Sequence, residues 1–334
     1  MPVTTVGDMA QQFTAQRNTG AIKSDLARLA DSLSSGKVAD ISAALEGETA
    51  RFSGIKYTLT QLDGYQQIGS ETQQYLQNVQ IVLSKVDATR NLTAERLLLV
   101  NEASTIAQVD EAAGSARSAF ETVVRTLNTQ VADRALLGGA DVDGPPLATA
   151  QAMLADIQTA IGGATDLATI VTAVETWFDD PAGGFATLGY QGDTGALVQK
   201  RVSETQTVTM TARADDPAIR EVMKGTVLAA LAADLPGITQ EVKTDLLQDA
   251  GQRLFVASSD LVAVQARVGF SEAEVAQAIT ENAAQQTTLG IAQNDLITAD
   301  PFETATRLQA VQLQLETAFS VTARLSQLSL TRFI

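Results

Sequence analysis

Two adjacent carboxylate pairs, Asp179–Asp180 and Asp215–Asp216, come nearest to catalytic chemistry in this chain, because paired acids can divide acid and nucleophile roles. Each pair stands directly before a proline, Pro181 or Pro217, which predicts turn and helix-cap roles instead. Asp193 lies in the glycine-rich run Tyr190–Gly195, but a calcium loop needs further oxygen ligands at alternating positions, and a hairpin entry fits better. Gly138–Gly139 and Gly162–Gly163 lack the strand–loop–helix setting of a phosphate cradle and read as turns. The 334 residues include no histidine and no cysteine. That removes Ser–His and Cys–His activation, thiolate metal sites and disulfides. A carboxylate or lysine enzyme would have to use residues such as Asp193, Asp215 and Lys200. The expectation is a protein that is not an enzyme and holds no metal or cofactor.

The elements around these residues are set by proline. None occurs from Val3 to Gly144, from Gly237 to Asp300, or after Pro301. Interior proline costs a helix roughly 3 kcal/mol, so long proline-free spans with an apolar helical period predict long helices at both ends. Asp8 is the expected cap of a first helix, with Val6, Met9 and Phe13 opening a stripe that resumes at Ile22, Leu26, Leu29 and Leu33 and stops at Ser34–Gly36. A second helix is expected from Asp40 or Ser42 to about Val100, and its ~59 residues would span roughly 90 Å. Another follows from about Glu111 to Leu136.

Between Gly139 and Gly237 the pattern shortens. Helices are predicted over Leu147–Ile161, Asp166–Phe178 and Pro217–Leu235, and strands over Ala196–Ser203 and Thr205–Ala212. Helix is then expected from Thr239 to Val268, broken by a turn at Gly269–Ser271. Ser271 with Glu274 reads as a capping box for a further helix to about Thr298. The last helix opens at Asp300–Pro301 and carries Leu308, Val311, Leu315, Phe319 (or Ala318), Thr322, Leu325 and Leu328.

The predicted fold is therefore mainly α: a long antiparallel helical bundle or coiled-coil rod from both chain ends, with a small inserted α+β outer domain. Residues 1–38 and 300–334 are the expected paired terminal helices, 39–139 and 238–299 the bundle, and 140–237 the insertion. The net charge of −16 disfavours nucleic acid as a partner. It is unevenly placed: zero over residues 1–60 and +1 over 301–334, leaving −17 on residues 61–300. Near-neutral ends can pack against copies of themselves while an acidic middle faces water. Met1–Gly20 has no secretory leader pattern and no stretch reaches the length of a membrane span, so any export would use another route.

Several segments resemble the flagellin superfamily, and within it the hook–filament junction family. Leu33–Ser34–Ser35–Gly36–Lys37 looks like the end of the flagellin N-terminal helix, and Leu313–Leu330 looks like the junction family's C-terminal helix. Ala135–Ala140 and Tyr190–Asp193 are similar to segments before and inside that family's variable domain. Val38–Ala39–Asp40–Ile41–Ser42 departs from the sequence that usually follows in flagellins. The resemblance implies a structural subunit joining hook to filament by self-assembly, with no catalysis. It implies as partners further copies of itself, a hook-side junction protein, filament flagellin and an export chaperone. It also implies an extracellular flagellar location reached by type III export without a cleaved signal peptide. Alternatives are a filament flagellin or, more remotely, a secreted needle-tip or translocator protein. The expected interface stripes are Val6, Met9, Phe13, Leu26, Leu29 and Leu33 with Leu308, Val311, Leu315, Phe319, Leu325 and Leu328.

Overall fold

Long antiparallel helices from both chain ends dominate the architecture, and among the described residues they occupy most of each proline-free span. The computed structural model describes residues 4–45 and 47–330, without the side chains of 4–8, 11, 12 and 325–330. The helices are α1 (Thr4–Ser35), α2 (Ile41–Ala44), α3 (Thr49–Leu98), α4 (Ile106–Leu127), α5 (Ala150–Ile161), α6 (Leu167–Asp179), α7 (Pro217–Asp234), α8 (Gln240–Ile297) and α9 (Pro301–Leu330). Two antiparallel hairpins interrupt them: β1 (Gln130–Val131) with β2 (Arg134–Ala135), and β3 (Gln199–Arg201) with β4 (Thr207–Thr209). Among the described residues no helix is long and apolar enough to cross a membrane.

The chain divides into two units, residues 1–63 with 284–334, and residues 64–283; the boundary falls inside α3 and inside α8. In the larger unit α3 and α8 run antiparallel. Gln80 Nε2 donates to the Gln265 carbonyl at 2.7 Å, and Arg90, its side chain buried, donates to the Leu254 carbonyl at 2.9 Å. Both helices bury a heptad face, Leu76, Val79, Leu83 and Val86 on α3 and Leu247, Ala250, Leu254, Ala257, Leu261, Val264 and Val268 on α8. Helix α4 packs on α7 through Ala113, Ala116, Phe120 and Val123, all fully buried. Gly225 brings α7 close to α8, since a Cβ there would lie 2.7 Å from Leu254 Cδ2.

Several boundaries differ from expectation, each for a local reason. Helix α1 is already helical at Thr4, so Asp8 lies inside it and is not its cap. The second helix does not run unbroken from Asp40. Asp40 caps the short α2, and the chain turns through Gly47, whose φ of +110° favours glycine, before α3 begins. Helix α4 stops at Leu127 instead of Leu136 because the Asn128 amide takes the place of a neighbouring strand, donating to the Leu147 carbonyl at 2.9 Å and accepting from its N–H at 2.8 Å. The next residues form the first hairpin, turned by Ala132 and Asp133 at φ 51° and 60°.

The expected break at Gly269–Ser271 is absent, and α8 passes straight through it. The heptad continues from Val268 to Ser271, Val275 and Ala278, so Ser271 is a buried seam residue and not a cap. The second strand pair forms as expected but is shorter, three residues each, with Val208 of β4 and Val202 just after β3 fully buried.

Candidate assembly surface

The smaller unit is built on α1 packed against α9. The C-terminal end of α1 is pinned to the turn between α8 and α9. Val38 N donates to the Ile297 carbonyl at 2.9 Å and Ala299 N to the Gly36 carbonyl at 3.0 Å. Gly36 makes this possible with a φ of +68° and open space around it, the C′ role expected from the sequence. Buried Ser32 accepts from Ala39 N at 3.0 Å, and Asp300 caps α9 by accepting from Phe302 N and Glu303 N at 2.8 and 3.1 Å. Gly36→Ala is expected to cost about 1–2 kcal/mol through the left-handed backbone alone. Urea denaturation followed by helical circular dichroism would check this, with Gly36→Asn as the milder companion.

From this pinned end the two helices run antiparallel. Their seam is narrow and made of small or medium side chains: Ala15, Thr19, Ile22, Leu26 and Leu29 on α1, and Leu308, Val311, Leu315 and Ala318 on α9, all only half-buried. Of the expected stripe residues, Leu26, Leu29, Leu308, Val311 and Leu315 are therefore brought together. Met9 and Phe13 are 72% and 69% exposed, and at roughly 100° per residue they point well away from the seam. Leu33 and Phe319 are exposed as well, with Lys23 Nζ 5.4 Å from the Phe319 ring centre. The side chains of Val6, Leu325 and Leu328 lie outside the described residues.

One flank of the helix pair is an open groove of about 500 Å³. Ala15, Thr19 and Ala318 are small enough to leave it open, and Ile22, Leu313 and Val321 stand along it. Leu313 is 65% exposed and Val321 is exposed as well. Small floor residues between apolar walls suit the ridge of another helix. The sequence reading missed Leu313 and Val321, although their eight-residue spacing, with Thr317 midway, marks a second helical face.

The residues singled out for chemistry are occupied structurally. Asp179 accepts from Lys224 Nζ at 2.6 Å, and Asp180 accepts from Ala182 N at 2.8 Å in the turn after α6. Asp216 caps α7 and pairs with Arg267 at 2.6 Å. Asp215 pairs with Arg213 at 3.0 Å, yet burial still pushes its carboxyl above the usual range. The Asp193 side chain accepts from Gly195 N at 3.0 Å, and its carbonyl receives the Tyr190 hydroxyl and Arg213 at 3.1 and 3.3 Å. Gly138 belongs to the same clasp, its carbonyl accepting from Asp193 N at 2.9 Å. Lys200 is exposed on β3. Among the described residues no group of three or more acids could hold a metal ion.

Residues 256–334, which include all of α9, match the family model of the bacterial flagellin C-terminal helical region. The chain is flagellin-like at its C-terminal end. The same fold occurs in a protein assigned as a flagellar hook-associated protein from Vibrio parahaemolyticus, with a TM-score of 0.51 and 9% identity over 74% of this chain and 96% of that one. It also occurs in FlgL from Bacillus cereus, with a TM-score of 0.52 and 13% identity over 72% and 98%. No curated protein matches the chain by sequence. The flagellin-like segment supplies one whole side of the groove, Leu313 to Thr322.

Proposed function

We propose that this chain is a structural subunit of the bacterial flagellum that joins hook to filament by packing its terminal helices against those of further copies. The observation that carries the reading is the flagellin-like α9, which leaves Leu313 and Val321 in solvent beside an open groove. A half-buried seam of small side chains is a weak basis for order, because most helical stability in proteins comes from packing of the apolar face. Each Leu or Val side chain buried in a neighbour contributes about 1.5–3 kcal/mol, so a few such contacts per subunit suffice to hold an assembly together. The near-neutral ends add little charge repulsion to that packing. Its partners at the two faces of the assembly are a hook-side junction protein and filament flagellin.

Immunogold electron microscopy of flagella from the source bacterium tests the position. A single band of label at the hook boundary is the expected result. Label along the whole shaft would make the chain a filament flagellin instead, and flagella without label would overturn the flagellar reading.

A further inference from the structure

A second cavity, of about 560 Å³, is lined only by residues of the 64–283 unit. Its walls are the Ile68–Asn78 stretch of α3, the first hairpin with the loop to Val142, and five consecutive residues of the second hairpin, Leu197–Arg201. The floor is apolar: Leu136, Met210 and Ala212 are buried there, with Ile68 and Val198 half-buried beside them. Tyr75 also belongs to the floor, and its hydroxyl is spent on the Leu136 carbonyl at 2.5 Å. Burial pushes that hydroxyl up to about 12 in pKa, with nearby Arg134 opposing the shift, so it stays protonated and neutral at ordinary pH.

The charge around the cavity runs against the rest of the chain. The protein has 39 acidic and 23 basic residues, yet the charged residues lining this cavity are Arg134, Lys200, Arg201 and only one acid, Glu71. Arg201 follows Lys200 on β3, so its side chain leaves the opposite face and turns to the Ser203 and Glu204 carbonyls of its own hairpin. Glu71 is turned to its own helix neighbour, accepting from Gln67 Nε2 at 3.0 Å. Arg134 and Lys200 are exposed. A pocket of this size with an apolar floor and a few polar groups at its rim is the usual form of a small-ligand site.

We propose that this cavity binds a small amphiphilic anion, its apolar body on the Leu136–Met210 floor and its anionic head beside Arg134 and Lys200. The proposal is independent of the assembly reading, since it uses no residue of α1 or α9.

Calorimetric titration of the full chain with decanoate tests it, with decyltrimethylammonium as the cation of matching tail. Saturable binding of one decanoate per chain is expected, with no comparable binding of the cation. The double variant Arg134→Glu/Lys200→Glu changes only exposed side chains, and its fold is checked by circular dichroism. It should weaken decanoate about tenfold or more, the loss of a charge-assisted contact. Glu71→Gln should tighten binding. Absence of saturable binding, equal binding of the cation, or unchanged affinity in the double variant would each overturn the proposal while leaving the terminal-helix assembly untouched.

Discussion

Leu313→Asp is expected to leave the unfolding of the isolated chain unchanged and to stop its incorporation into flagella. Leu313 is 65% exposed on α9, so within one chain the substitution touches little and should shift stability by no more than about 0.5 kcal/mol. In the proposed assembly the same side chain enters a neighbour, where an unpaired carboxylate loses the apolar contact and carries a desolvation cost of several kcal/mol. The cost recurs at every subunit contact, so incorporation should fall by more than about tenfold for each 1.4 kcal/mol lost. Leu315→Asp, two residues away, makes the contrast. Leu315 is half-buried on the seam facing α1, so its replacement should loosen the helix pair and block assembly together. Thermal unfolding of the purified variants, set beside swimming assays and immunoblots of sheared flagella, separates the two effects. Normal incorporation of Leu313→Asp would sink the proposed interface.

The second large effect is expected at Gly184→Ala, inside the inserted region. Gly184 has an ordinary helical backbone, φ −61° and ψ −31°, so conformational freedom is not its reason. Space is: a Cβ there would lie 1.8 Å from Trp177 Nε1. The indole has nowhere to retreat. Its N–H donates to Asp156 Oδ2 at 2.7 Å, and its ring meets Phe178 edge-on at 4.7 Å and Phe185 at 6.1 Å. Phe185 in turn stacks on Phe178 at 5.4 Å and on Tyr190 at 6.3 Å. Adding one methyl must therefore displace the ring, break a hydrogen bond to a carboxylate and disturb the aromatic cluster, a loss of about 3–5 kcal/mol. Trp177 is the single tryptophan of the chain, so its fluorescence during urea unfolding reports on this site alone. Gly114→Ala on α4 is the control: its Cβ meets nothing within 4 Å, and it should gain about 0.5–1 kcal/mol of helix propensity. A wild-type midpoint for Gly184→Ala would refute the packing argument.

The helices were legible because their causes are local. Pro217 after Asp216 and Pro301 after Asp300 mark starts that hold in the structure, and Gly36 marks an end. The errors arose where a local signal met a distant partner. Ser271 and Glu274 have the spacing of a capping box, but Ser271 sits in the buried seam of α8, and the packing of that seam outweighs the cap. Leu136 and Leu137 extend the helical period of α4, yet Asn128 binds Leu147, nineteen residues away, and ends the helix first.

The terminal helices show the same division. Sequence by itself determined that both ends are amphipathic helices, that the chain lacks histidine and cysteine chemistry, and that a short-element insertion separates the ends, because proline, glycine and apolar spacing act within a few residues. Only the tertiary structure decided which apolar side chains meet inside one chain and which are left over. Leu26, Leu29, Leu308, Val311 and Leu315 meet at the seam, whereas Met9, Phe13, Leu313 and Val321 remain in solvent. A helical period repeats around the whole cylinder, and the face that is covered is set by the crossing of α1 over α9, which no short-range pattern encodes.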